Sequence, residues 1–128
     1  IAEKRAERIR EFLKRMKTRL EATAERLDKL IGRIQERLNI LGTTQDVSAI
    51  QAEVDNAKNK LASAKEDIAA LDGVGDDILN SDDPKASFET VREMVKSVKD
   101  QLVEVHRLLV LVIGDIKGLR VGTTNEKK

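Results

Sequence analysis

The sequence contains no cysteine, tryptophan or tyrosine, one histidine, one proline and two phenylalanines among 128 residues. Without cysteine there is no disulfide, no thiolate zinc site and no cysteine nucleophile, and one imidazole leaves no cluster for metal or acid–base work. An aromatic content of 2% argues against sheet folds, which draw on aromatic and β-branched residues. No stretch approaches the ~18 to 20 apolar residues needed to span a bilayer. The patterns G-x-x-x-x-G-K, G-x-S-x-G, H-E-x-x-H and G-x-G-x-x-G do not occur, so the short motifs of phosphate cradles, nucleophile elbows and zinc proteases are all missing. Most enzyme classes lose their reagents here. No catalytic residue, metal or cofactor is expected, and the length suits one domain.

What the chain does have is charge, 37% of residues, and aliphatic side chains at heptad spacing. In the first segment Leu13, Leu20, Leu27, Ile34 and Leu41 fall at a, and Ile9, Met16, Thr23 and Leu30 at d. Ala24, Ile31 and Leu38 widen the seam at e, as expected for a helix with two neighbours. Gly42 then suits a left-handed C-cap. In the second segment Val47, Ile50, Val54, Ala57, Leu61, Ala64, Ile68 and Leu71 alternate steps of three and four. Thr43 or Thr44 can cap its start, with Asp46 in the first turn, and small Ala57 and Ala64 at d allow close approach. Gly73 and Gly75 weaken the pattern at about 1 kcal/mol each, so the helix either ends there, near residue 72, or resumes for one or two turns through Ile78 and Leu79. The third segment opens with Ser81-Asp82-Asp83-Pro84, a helix start signal. One seam then runs through Phe88, Val91, Val95, Val98, Leu102 and Val105 to Leu119.

Three such helices, joined by short connections, predict an all-α fold: an antiparallel up-down-up three-helix bundle with coiled-coil-like heptad seams. The expected helices are 3–41, 45–72 and 84–118, forming one unit over 1–120. Residues 121–128 lack an apolar anchor and are expected to be a flexible tail. A chain that starts at Ile1, already in heptad phase and without a cap, is expected to be a processed piece whose first helix continued upstream.

The net charge of +1 conceals segregation, because residues 1–41, 42–83 and 84–128 carry +5, −7 and +3. Antiparallel packing would set the basic stretch from Lys4 to Arg19 beside an intramolecular acidic cluster of Asp72, Asp76, Asp77, Asp82 and Asp83. That cluster lacks the D-x-[DN]-x-[DN]-G order and terminal Glu of a calcium loop, so helix capping and pairing with the basic helix are the expected roles. His106 falls at e with Leu102, Val103, Leu109 and Val110 at the neighbouring positions, and no second ligand for a metal. Both Phe12 and Phe88 sit on seams, leaving no stacking aromatics, so no nucleic-acid partner is expected.

The run Ser81-Asp82-Asp83-Pro84-Lys85-Ala86-Ser87-Phe88 is followed by Val91, Val95, Lys99, Leu102, Val105-His106 and Ile116-Lys117-Gly118. It resembles the D-P-K-x-x-F…V…A-H…L-K-G ending of uncharacterised, predicted secreted helical (coiled-coil) proteins of candidate-phyla ultrasmall bacteria. The stretch from Arg8-Ile9 to Arg37-Leu38 resembles their charged first helix, and Asp46-Val47 to Leu71 their Ala-rich second. The resemblance spans most of residues 8–118 and implies an exported precursor, secreted or held at the cell envelope, with no known activity. The chain departs from those proteins in having Val where they tend to have Ala in the third helix. Composition by itself suits a cytoplasmic location equally. Spectrin-like repeats share the length and helix number, but the Trp of their first helix is missing.

The functional expectation is a non-enzymatic extracytoplasmic module, a structural spacer or protein-interaction domain of the cell envelope. Its rival is a holdase or lipid-binding protein whose amphipathic helices open over apolar ligands. Leu108 to Ile113 are six consecutive aliphatics, of which Leu109 and Val112 belong to the seam. Val103 and Val110 at b and Leu111 at c face outward, so these three are the candidate partner-binding residues, with Ile40 on the first helix as a possible extension. The partner expected there is a protein, either an envelope component or a second copy in a weak homo-oligomer.

Overall fold

The computed structural model describes residues 2–79 and 83–126. They form three helices, α1 (Ala2–Leu41), α2 (Ser48–Leu79) and α3 (Pro84–Glu126), each packed on the other two. At ~1.5 Å per residue α1 is about 60 Å long. Pairings along α2 run antiparallel to both neighbours: Gln35 meets Gln51 near one end while Lys17 meets Asp72 near the other, and Gln101 meets Asp67. Phe12 and Phe88, edge to face at 5.4 Å between ring centroids, level the starts of α1 and α3, which run parallel. This is an all-α three-helix bundle with up-down-up topology.

The core follows the seams, with one shift. α2 buries its seam from Ile50 to Leu71 and α3 from Val91 to Ile116, while Val47, Phe88 and Leu119 lie at the ends, half-buried. On α1 the fully buried residues are Leu13, Leu20, Leu27 and Ile34 at a, with Ala24, Ile31 and Leu38 at e, plus Ile9. The other d residues, Met16, Thr23 and Leu30, are only half-buried. α1 is therefore rolled so that the a/e line points inward and the d line rims the groove with α3. No polar or charged residue is buried among the described residues. Ala57 and Ala64 are fully enclosed, as small residues must be where three helices close on one another.

Four local expectations are corrected. α2 starts at Ser48, not 45, because the threonine hydroxyls are used elsewhere: Thr43 donates to the Ile40 carbonyl at 2.7 Å and Thr44 to that of Leu41 at 3.4 Å. Both serve the orphan carbonyls of α1. Asp46 performs the capping, its Oδ1 accepting the Ser48 N–H at 3.0 Å and the Ser48 hydroxyl at 2.7 Å. Gly42 does not take a left-handed cap, since no described glycine has positive φ. Instead α1 tightens, with Thr43 N–H bonding the Ile40 carbonyl and Thr44 N–H that of Leu41, a 3₁₀-type ending. A Cβ on Gly42 would stand 3.1 Å from the Leu38 carbonyl oxygen, which accounts for glycine there.

α2 also continues through Gly73 to Leu79. The glycine cost of about 1 kcal/mol each is offset by Leu71 and Val74, both packed on the core. α3 likewise passes Gly118 and Gly122 to Glu126 rather than ending at 118; glycine leaves the i to i−4 hydrogen bond intact and no proline follows Pro84. The start of α3 is capped by Asp83, whose Oδ1 accepts the Ala86 N–H at 3.3 Å and whose carbonyl accepts the Ser87 N–H.

Because the interior is filled, volume changes in either direction should be felt. Leu109→Ala, at a fully enclosed site, is expected to cost about 2–5 kcal/mol. Ala57→Leu is expected to cost about 1–3 kcal/mol by overpacking. Urea unfolding followed by circular dichroism reads both, and near-neutral results would mean that the bundle is loosely packed.

Candidate functional site

The expected acidic cluster divides into residues with separate tasks. Asp72 takes the Lys17 ammonium, both carboxylate oxygens lying 2.5 Å from Nζ, and that hydrogen bond holds the Lys17 pKa above its ordinary value. Asp83 caps α3. The side chains of Asp76 and Asp77, and all of Asp82, lie outside the described residues. Among the described residues no group of three His, Cys, Asp or Glu side chains could hold a metal ion. His106 is exposed on α3. No described helix is long and apolar enough to cross a membrane.

The aliphatic residues singled out on α3 do stand at the surface: Val103 is 59% exposed, and Val110 and Leu111 are each 51% exposed. They do not form one patch. At about 100° per residue, Val103 and Val110 share a line on the shoulder of α3 nearer α1. Leu111 lies on the other shoulder, toward α2, on the side of Glu104 and Arg107, which pair with each other. Ile40, 69% exposed, is on the outer edge of α1, on the same broad face as Val103 and Val110.

That α1–α3 face has a character that segment charges do not reveal. Two surface clefts along the α1–α3 groove fix which side chains meet there: Arg5, Arg8, Lys85 and Phe88 at one end, and Arg33, Arg37, Ile113 and Lys117 at the other. Between them Arg15, Arg19 and Arg26 continue the same line of α1, all exposed. α3 contributes Arg92, its guanidinium 6.0 Å from the Phe88 ring centroid, then Lys99, also exposed, whereas Lys96 lines the α2–α3 cleft with Glu93, Asp100 and Glu104. Helical geometry puts no Asp or Glu on the quarter of α1 or of α3 that looks out from the α1–α3 groove. None of these cations has an ion pair among the described residues.

The acids lie on the other sides. Lys17 pairs with Asp72 and Glu21, and Lys65 with Asp28, all in the α1–α2 groove. There a half-buried amide pair, Gln35 with Gln51, exchanges hydrogen bonds of 2.7 and 2.8 Å. Across the α2–α3 groove Gln101 donates to Asp67 at 2.8 Å. About four turns further along the same groove, Glu53 faces Asp115, and sharing a hydrogen bond with that second carboxyl, with lesser help from desolvation and repulsion, pushes the Glu53 pKa up. The Ser48 hydroxyl and N–H draw that of Asp46 down. The basic face was missed by adding charges along segments. Its sequence signal is the recurrence of Arg5, Arg19, Arg26 and Arg33 at the g position, seven or fourteen residues apart.

Comparisons with protein-family models, with curated proteins and with solved structures find no match to this chain.

The two displaced carboxyls should act oppositely with pH. Asp46 ionises more readily when folded, so its stabilisation is present above 3.8, its ordinary value, and disappears as pH falls through the lower folded one. Glu53 is the reverse: the stabilisation tied to its protonated form is present below 4.5 and lost as pH rises through the raised folded value. Melting curves against pH are expected to show Asp46→Asn lowering Tm at neutral pH and converging on wild type in acid. Glu53→Gln is expected to raise Tm slightly at neutral pH, the gain closing as pH falls toward 4.5. Two parallel, pH-independent offsets would contradict both assignments.

Proposed function

We propose that the protein is a non-enzymatic helical-bundle module of the cell envelope, a spacer or protein-interaction domain that acts through its outer surface. One observation carries the reading: the described interior is a continuous aliphatic core with no buried polar residue and no buried side-chain N or O atom lacking a partner. A holdase that opens to cover apolar ligands would have to give up this burial, at roughly 1.5–3 kcal/mol for each large side chain exposed. Closed seams therefore favour a strut over an opening chaperone. The envelope location rests on the sequence resemblance alone. The absence of catalysis is read from composition, with no cysteine and one histidine in the chain. Contact with a protein partner, or with a second copy, is assigned to the outward aliphatics of α3, Val103, Val110 and Leu111, with Ile40 on α1.

Hydrogen exchange tests the closed state directly: seam amides from Val54 to Leu61 and Val98 to Leu109 are expected to exchange only by global unfolding. An apolar dye should bind weakly. Strong dye binding with fast seam exchange would favour the opening holdase. In sedimentation, Val110→Lys combined with Leu111→Glu is expected to abolish self-association or complex formation while leaving helicity and Tm unchanged. A wild-type chain that is monomeric at high concentration and indifferent to the double substitution would remove self-association through these residues.

A further inference from the structure

The protein-partner reading does not account for the cations of the α1–α3 face, which stand without acids. Like charges three or four residues apart on a helix, as at Arg15 with Arg19 and Arg33 with Arg37, repel and weaken the helix. The chain has acidic residues to spare, yet its acids pair in the other two grooves or look away. The uncompensated strip runs from Arg8 to Arg37, about 45 Å at ~1.5 Å per residue. It is two helices wide, with axes roughly 8–10 Å apart.

We infer that this face is a docking surface for an anionic lipid bilayer, on which the closed bundle lies flat. The inference rests on the proposal that the bundle works closed and through its exterior, and it assigns the part of that exterior bearing Val103, Val110 and Ile40 to a bilayer. Phosphate or carboxylate headgroups satisfy guanidinium groups without demanding a fixed spacing. The aliphatics decide the kind of polyanion. Val103, Val110 and Ile40, each more than half exposed, stand among the cations on this same face. Cations with interspersed aliphatics suit the headgroup boundary, where charge meets phosphate and apolar groups enter the interface. Nucleic acid would call for stacking aromatics or a helix free to enter a groove; Phe12 and Phe88 are half-buried against each other and all three helices are packed side by side. An acidic protein face would complement one sign of charge too; competition between polyglutamate and anionic vesicles separates it from a bilayer.

Co-sedimentation of the full chain with vesicles provides the test. Vesicles of phosphatidylcholine containing phosphatidylglycerol are expected to bind it in a salt-sensitive manner, and vesicles of phosphatidylcholine alone are expected not to. Arg26→Gln with Arg33→Gln should weaken partitioning about thirtyfold, from about 1 kcal/mol per basic residue at an anionic surface. Lys58→Gln with Lys60→Gln removes the same charge from α2 and should change it less than about twofold, since screening confines the attraction to charges near the surface. Val103→Ser with Val110→Ser should weaken it several-fold. All three variants alter exposed residues, and unchanged circular dichroism would show that they fold. Equal losses from the α1 and α2 pairs, or indifference to the valine pair, would overturn the proposal. So would binding of a short DNA duplex or of polyglutamate in preference to anionic vesicles. No binding with seam amides still protected overturns the bilayer inference alone. Binding accompanied by loss of that protection overturns the closed bundle as well.

Discussion

None of the three helices can hide its apolar line by itself, and this constraint sets everything else about the molecule. A single seam on a helix about 60 Å long would leave leucines and valines in water along its whole length. Three seams of similar length close on one another, and the closure is deep enough for Val54, Ala57, Ala64, Val91, Val105, Leu109 and Val112 to be wholly enclosed. The closure also fixes rotation. Once α1 commits its a and e positions to the interior, its d residues become the lip of the α3 groove and its g arginines must look outward. The position of every surface charge is thus a consequence of which aliphatic residues won the inside.

Rotation divides the charges into three grooves of different kind. The α1–α2 groove contains opposite charges and an amide pair, with Lys17 on Asp72, Lys65 on Asp28 and Gln35 on Gln51. The α2–α3 groove is mixed, containing both the Gln101–Asp67 bond and the Glu53–Asp115 carboxyl pair. The α1–α3 groove is basic throughout its described length. Exposed ion pairs contribute little to stability, so this arrangement has little to do with keeping the bundle folded. Its main effect is a field that differs from one face to the next, and such a field governs what the exterior attracts.

The architecture was legible because heptad spacing is a statement about burial, and burial decides the fold. Val54, Leu61, Val98 and Leu109 could be placed from their intervals alone. What escaped were features decided by competition. Thr43 and Thr44 read equally well as caps for α2 or as ends for α1, and only the geometry of the turn awards them to α1. Gly73 reads as a stop until Val74 is found on the core, where apolar contact outweighs the local cost of glycine. The seam of α1 reads as a with d, widened at e by Ala24, Ile31 and Leu38; those e residues are buried, and what spacing does not resolve is the roll that leaves Met16, Thr23 and Leu30 at d only half-buried. The exposed Val103, Val110 and Leu111 were legible as outward, but the division between two shoulders of α3 follows from where α1 and α2 sit.

The same rotation explains why summed charge concealed the basic face. A segment total assigns Arg19 and Asp72 to one balance, although Arg19 looks away from α2 and only Lys17 reaches that carboxylate. Neutrality of the whole chain, at +1, is then compatible with a face that has no acid on it among the described residues. A rigid bundle makes such a face more effective than the same arginines on a free helix. Their backbone is ordered on folding, so a contacting surface meets preorganised cations and only the side-chain ordering remains to be met on binding. The closed core and the basic face are linked in this sense: aliphatic burial within the bundle keeps the cations aligned along one side of it.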